Sequence, residues 1–200
     1  MKMLKNIYLV LMLCWPLAGM AQAPAMTAVE TAEKGVQTLL EAVTSSKQYF
    51  LSDRERYFQS VETVLNTFVD FEAVATVVMS RYAASATEQQ KQRFADILKT
   101  TLTRFYGATL ASYNGEQLVF LPAANTPEDP RADQVVGMEL RGAENTFRVQ
   151  YQMFLDSDNQ WKLKNLSLGG INLGRQYYTQ FAAAMTQYNN DIDLVLDNWK

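Results

Sequence analysis

Phe147-Arg148-Val149-Gln150-Tyr151-Gln152-Met153-Phe154-Leu155 sets Phe147, Val149, Tyr151, Met153 and Leu155 on one side and Arg148, Gln150 and Gln152 on the other. Alternation of this kind reads as a strand with one buried face. The pattern extends in both directions. Upstream, Val136, Met138 and Leu140 alternate with Val135, Gly137 and Glu139, and Gly142-Ala143-Glu144-Asn145 reads as the hairpin turn between the two strands. Downstream, Asp156 to Gln160 turns the chain into Trp161 and Leu163. The apolar phase then slips by one residue to Leu166 and Leu168, which predicts a β-bulge near Lys164-Asn165. A short strand, Gln117 to Leu121, is stopped by Pro122, and a proline-punctuated loop runs on to Pro130.

The first half of the chain has helical spacing. Val29, Ala32, Val36, Leu39, Leu40 and Val43 recur at three and four residues. Ser52 with Glu55 reads as a capping box opening a helix with Tyr57, Phe58, Val61, Val64 and Leu65. Asp70 caps a third helix carrying Val74, Val77, Val78 and Tyr82. Thr87 with Gln90 opens a long one carrying Phe94, Ile97, Leu98, Leu102, Phe105, Tyr106 and Leu110, which Asn114-Gly115 stops. Two short helices, Gln176 to Tyr188 and Asp191 to Trp199, close the chain. Helices first and a meander second predict an α+β fold. N-terminal helices and C-terminal short helices pack on one face of a curved four-stranded antiparallel sheet.

The N-terminus reads as a secretory signal peptide over 1–23. Lys2 and Lys5 precede an apolar run from Ile7 to Leu17, and Ala21-Gln22-Ala23 is a small-x-small cleavage site. Two alternatives are an uncleaved anchor and a lipid-modified Cys14, the latter disfavoured by the bulk of Leu13. The mature chain, 24–200, is then expected to form one domain. Its 16 basic residues stand against 21 acidic, a net charge of −5 and a poor match to nucleic acid.

No histidine occurs, and the single cysteine is Cys14, inside the leader. The mature chain therefore lacks the commonest general base near neutral pH, the thiolate nucleophile and the usual zinc ligands. Glu139 with Glu144, and Asp156 with Asp158, are the carboxylate pairs worth weighing for acid–base work, and all sit where solvated charge is expected. Asp156-Ser157-Asp158 begins like a calcium loop but fails at Trp161, where glycine is needed, and at Ser167, where the bidentate acid belongs. There is no G-x-S-x-G, and Gly169, Gly170 and Gly174 do not form a phosphate-binding loop. No catalytic residue, metal or cofactor is expected. The apolar arc of the long helix is broad, from Phe94, Leu98, Leu102 and Phe105 to Tyr106, Leu110 and Tyr113, and the sheet expected to face it offers Val149, Tyr151 and Met153. On the residues alone, two readings stand: a ligand cavity between the layers, or an ordinary packed core.

Asp70-Phe71-Glu72, Ser80-Arg81-Tyr82 and Ala86-Thr87-Glu88-Gln89-Gln90-Lys91-Gln92-Arg93-Phe94 occur in an order and spacing that resembles the MlaC family, also called toluene-tolerance proteins. Phe105-Tyr106, Trp161-Lys162-Leu163, Gly170-Ile171-Asn172-Leu173, Tyr177 and Gln180-Phe181 extend the likeness over roughly Val29 to Trp199. Ser80 stands where the family has glycine, Gln89 where it has glutamate, and Tyr178 where many members carry arginine, with Arg175 one turn earlier. The resemblance implies a periplasmic, non-enzymatic carrier of glycerophospholipid in the Mla lipid-transport pathway. Its partners would be an inner-membrane Mla ABC transporter complex and an outer-membrane Mla lipoprotein–porin complex, and its cargo a bound phospholipid held between the layers. The expected lining is Val74, Val78, Tyr82, Leu98, Leu102, Phe105, Tyr106, Val136, Met138, Val149, Tyr151, Met153, Leu166 and Leu168, with Arg81 and Arg104 near the headgroup. The alternative is a non-catalytic periplasmic adaptor with a solid core and protein partners only.

Overall fold

Side-chain caps define the start of nearly every helix. The computed structural model describes residues 26–122, 127–143 and 145–199; the expected leader, part of the proline-punctuated loop (123–126) and Glu144 of the hairpin turn lie outside them. The helices are α1 (Ala28–Ser46), α2 (Tyr49–Ser52), α3 (Arg54–Phe68), α4 (Phe71–Met79), α5 (Glu88–Leu110), α6 (Leu173–Gln187) and α7 (Ile192–Asp197), with a 3-10 turn at Ser80–Ala84. Thr27, Asp70, Thr87, Asn172 and Asp191 each accept a first-turn amide, and Thr27–Glu30 and Thr87–Gln90 form complete capping boxes. The expected Ser52–Glu55 box is not built. Asp53 caps α3, accepting from Arg56 N at 3.1 Å, while Ser52 belongs to the turn before it. α5 also ends four residues ahead of Asn114, its last turn closing through Ser112 and Tyr113 amides, and Gly115, at φ +89°, redirects the chain.

The strands β1 (Gln117–Phe120), β2 (Gln134–Arg141), β3 (Thr146–Leu155), β4 (Trp161–Leu168) and β5 (Ile171–Asn172) form one antiparallel meander in sequence order. The sheet thus has five strands where four were expected. The fifth is a two-residue return after Gly169 and Gly170, both at positive φ, and it is too short to carry a period. The register of β3 on β4 jumps between Gln152↔Asn165 and Met153↔Leu163, which leaves Lys164 as the extra residue. This is the expected bulge, and it returns Leu166 and Leu168 to the side of Leu163 and Trp161.

The apolar side chains form two clusters. One joins the inner face of the sheet to α1 and α3; the other is made by α4, α5, α6 and α7. It is α1, not the long helix, that lies over β2, β3 and β4, while α5 packs mainly on α4 and α3. Ala28, Ala32 and Gly35 let α1 come close: a Cβ on Gly35 would stand 2.6 Å from the Phe68 ring. The apolar arc of α5 is instead divided. Phe94 and Leu98 enter the helical cluster, while at Gly107 the backbone approaches Phe58 and accepts from Tyr57 Oη at 2.7 Å.

Two polar joints hold helices to β4. Asp70 N donates to Leu163 O at 3.0 Å while its carboxylate caps α4, and Lys162 Nζ donates to Thr67 O at 2.9 Å. These contacts give Asp70 and Lys162 structural roles at the α3–α4 corner. At the bulge, Asn165 Oδ1 accepts from Leu166 N and Gly174 N, both at 2.9 Å, and Asn165 Nδ2 donates to Asn172 Oδ1 at 3.1 Å. Asn172 in turn caps α6. The bulge predicted from a slipped hydrophobic phase is therefore where α6 is fastened to the sheet.

Candidate functional site

The inner face of the sheet is a ladder of apolar rows that grows wetter toward one end. Cross-strand register sets Leu118, Leu140 and Phe147 side by side, then Phe120, Met138, Val149, Leu168 and Ile171, then Val136, Tyr151 and Leu166, then Met153 and Leu163. Along β3, exposure falls from 61% at Phe147 to 7% at Val149 and Tyr151 and 0% at Met153. Ile171, at the far edge of the second row, is also exposed, and Leu118, Leu140, Leu166 and Leu168 are half-buried. The inner face is buried at the Met153–Leu163 end and exposed to solvent at the Phe147 end.

The expected lining divides between the two clusters. Val136, Met138, Val149, Tyr151 and Met153 are buried on the sheet side, with Leu166 and Leu168 packed at its margin. Val78 and Leu98 are buried in the helical cluster, with Val74, Tyr82 and Leu102 at its margin. Tyr106 is half-buried, and its phenol bonds that of Tyr177 between α5 and α6. Phe105 is 64% exposed and does not line the interior: it turns outward beside Tyr106, rings 5.0 Å apart. The expected lining omits the residues at the open end, Leu118, Phe120, Leu140 and Phe147. Their signal was present in the alternation of Leu118 with Phe120 and of Leu140 with Phe147 across the turn.

The electrostatics of the site are quiet. Burial, with 3.6 Å from its Oη to Met138 Sδ as the only bonding partner described, pushes the Tyr151 phenol well above its usual value. Burial and then the bond to Tyr177 do the same for Tyr106. Of the carboxylates weighed for chemistry, those of Glu139 and Asp156 are occupied. Glu139 accepts from Arg148 and Arg141, both at 2.8 Å, which holds its carboxyl below the usual range. Asp156 Oδ1 accepts the amides of Asp158 and Gln160 and so shapes the β3–β4 turn. Among the described residues, no group of three or more acidic side chains is placed to hold a metal ion.

Arg81 and Arg104 contact different elements. Arg81 donates to Tyr82 Oη at 2.7 Å, and that bond, with the nearby Tyr178, strengthens its hold on its proton. Arg104 pairs with Glu55 of α3 at 2.7 Å and lies over Phe58. Two surface grooves, of about 260 Å³ at the α3–α4 corner and about 740 Å³ along α5, are edged by Asp70, Asp96 and Lys99 or by Gln89, Arg93 and Thr100, and include none of the expected lining. No helix among the described residues is long and apolar enough to cross a membrane.

An apolar ladder buried at one end thus lies under helices pinned at a bulge. The family described as MlaC protein matches residues 33–200. The chain belongs to the MlaC family. Among relatives of this MlaC chain, the toluene tolerance protein ttg2D of Pseudomonas putida is 30% identical over 198 residues, spanning 98% of this chain and 89% of that protein. The solved structure of a phospholipid-binding protein from Ralstonia solanacearum, in complex with a phospholipid, superposes with a TM-score of 0.77. It covers 86% of this chain and 94% of its own at 21% identity, so the two share the fold. The glycine that MlaC sequences were expected to carry before Arg81 is explained by the backbone. Ser80 sits at φ 49°, ψ −119°, a conformation natural to glycine and strained for serine.

Proposed function

We propose that this chain is a periplasmic carrier that holds a glycerophospholipid by its acyl chains and shuttles it between complexes of the inner and outer membranes. The observation that carries the reading is the graded apolar ladder, open at Phe147 and dry at Met153. A diacyl phospholipid carries about 30 methylene groups, and at ~0.8 kcal/mol each their exposure to water costs on the order of 20 kcal/mol. Unaided passage through an aqueous compartment is therefore negligible, and a carrier must offer an interior nearly as apolar as the bilayer.

The acyl chains enter at Leu118, Leu140 and Phe147 and extend over Met138, Val149 and Leu168 toward Val136 and Tyr151. Leu102 and Tyr106 of α5, with Val74, Val78, Tyr82, Leu98, Met153 and Leu166, are the walls that shift to make room. The headgroup stays at the open end. Arg81 and Arg104 serve it only by leaving their present partners, Tyr82 and Glu55. Membership in the MlaC family, and relatives named for toluene tolerance and for binding phospholipid, support the reading. No step needs a catalytic side chain, metal or cofactor.

One observation favours the adaptor alternative: inner-face residues such as Val136 and Met153 are already buried by their neighbours, as in a solid core. A transfer assay separates the two. Donor vesicles with a labelled phospholipid are mixed with unlabelled acceptors, and label movement is followed with and without protein. A carrier speeds transfer and leaves the lipid intact. An unchanged rate supports the adaptor, and lipid cleavage products would point to an enzyme.

A further inference from the structure

The turn between α1 and α3 presents Leu51, 92% exposed, at the tip of the single-turn helix α2. Its neighbours are anchored: Phe50 meets Tyr57 and Phe58 edge-on at 5.1 and 6.4 Å. The Arg54 guanidinium lies 4.9 Å from the Phe50 ring and that of Arg56 3.8 Å from the Tyr49 ring. Both arginines are exposed, and neither pairs with a carboxylate among the described residues. The acids nearby are engaged, Asp53 capping α3 and Glu55 paired with Arg104. Lys47 adds a third cation, bound to Tyr113 O at 2.8 Å and Asn114 Oδ1 at 3.1 Å. A basic, aromatic tip with one bare leucine thus stands out on a chain whose net charge is −3.

The tip shares an end of the molecule with the open rows of the sheet. Asn114, held by Lys47, donates its amide to Glu116 Oε2 at 3.0 Å, and Glu116 Cγ is 3.8 Å from where a Cβ on Gly142 would lie. Gly142 follows β2 in the hairpin that leads to Phe147.

We propose that this end docks on an anionic phospholipid bilayer, with Leu51 entering the interface, the rings of Tyr49 and Phe50 at headgroup depth, and Arg54 and Arg56 on lipid phosphates. The charge complementarity favours this occupant: guanidiniums stacked on rings and free of carboxylates suit phosphate, aromatic rings suit the interface, and basic residues bind anionic leaflets. The docking uses residues outside the cargo lining and places the open end of the inner face against the membrane.

The test is sedimentation of the purified protein with vesicles of phosphatidylcholine alone, or with phosphatidylglycerol added, at low and high salt. The expected result is binding to anionic vesicles that weakens with salt. It should fall about fivefold for Arg54→Gln or Arg56→Gln and about 25-fold for both together. Leu51→Ser should lose about tenfold. Lys34→Gln, removing an exposed charge on α1, should bind as wild type, and every variant should keep the wild-type melting temperature. Equal binding to both vesicle types, equal binding by the variants, or neglect of vesicles in favour of an acidic protein surface overturns the proposal. Protein-bound lipid is assayed separately in the vesicle-free fraction, so a failure to dock is distinct from a failure to carry.

Discussion

Gly174→Ala sets two well-known effects against each other at the joint that fastens α6 to the sheet. Gly174 is the second residue of α6, after the cap Asn172, and on helix propensity alone alanine is favoured by up to about 1 kcal/mol. Packing opposes it. The new Cβ would stand 2.7 Å from Asn165 Oδ1 and 2.7 Å from Val77 Cγ1. Neither neighbour can yield freely: Asn165 Oδ1 is fixed by two amides at 2.9 Å, and Val77 belongs to α4. Overpacking costs about 1–3 kcal/mol, and each hydrogen bond lost from Asn165 about 1 kcal/mol more. Destabilisation by about 1–4 kcal/mol should therefore win, read as a lower urea midpoint in equilibrium unfolding. Val77→Ala removes one of the two obstructing atoms, so the double variant should be more stable than the two single effects predict, by at least about 0.5 kcal/mol. A Gly174→Ala protein as stable as wild type, or more so, would refute the claim that this joint is close-packed.

Other consequences are as direct. Ser80→Gly relieves a backbone conformation that costs a side-chain-bearing residue about 1–3 kcal/mol, against about 0.4–1 kcal/mol of added chain entropy in the unfolded state. A net gain near 1 kcal/mol raises the melting temperature by about 2–4 °C, and no rise would contradict the strain. Burial holds protons on the phenols of Tyr57, Tyr106 and Tyr151, whereas the unfolded chain releases them near pH 10. Their stabilisation is complete below about pH 10 and is lost as pH climbs toward the folded values. The urea midpoint should therefore drop between about pH 10 and 11, less steeply in Tyr151→Phe, and a flat midpoint would count against buried phenols. Val149→Trp and Tyr151→Asp should each lower the phospholipid recovered from purified protein, while Lys99→Ala should not. Equal recovery from all three would remove the sheet's inner face from the proposed lining.

How far the sequence reaches is clear from particular residues. The alternation from Phe147 to Leu155, the slip at Lys164-Asn165 and the caps at Asp70 and Thr87 were all legible, because each is local: a period of two, a phase change, a side chain three residues from an amide. The start of α3 was read one position early, at Ser52, because the adjacent Asp53 is an equally good cap and is the one the fold uses. β5 escaped because two residues show no period. Periodicity also says which side of a helix is apolar without saying what covers it. Leu98 and Tyr151 both belonged on apolar faces, yet they fall in different clusters, since α1, with its small Ala32 and Gly35, takes the place over the sheet that the arc of α5 suggested for itself. Ser80 was legible only as a departure from the family's glycine, and its backbone angle supplied the reason.

Phospholipid is the proposed cargo. Native mass spectrometry of the protein as purified from cells, followed by solvent extraction of the same sample, tests it most directly. The expected result is a mass above that of the polypeptide by at least one glycerophospholipid, and the matching lipid in the extract. Preparations that repeatedly show the bare polypeptide mass, yield no phospholipid and take up none from vesicles would contradict it.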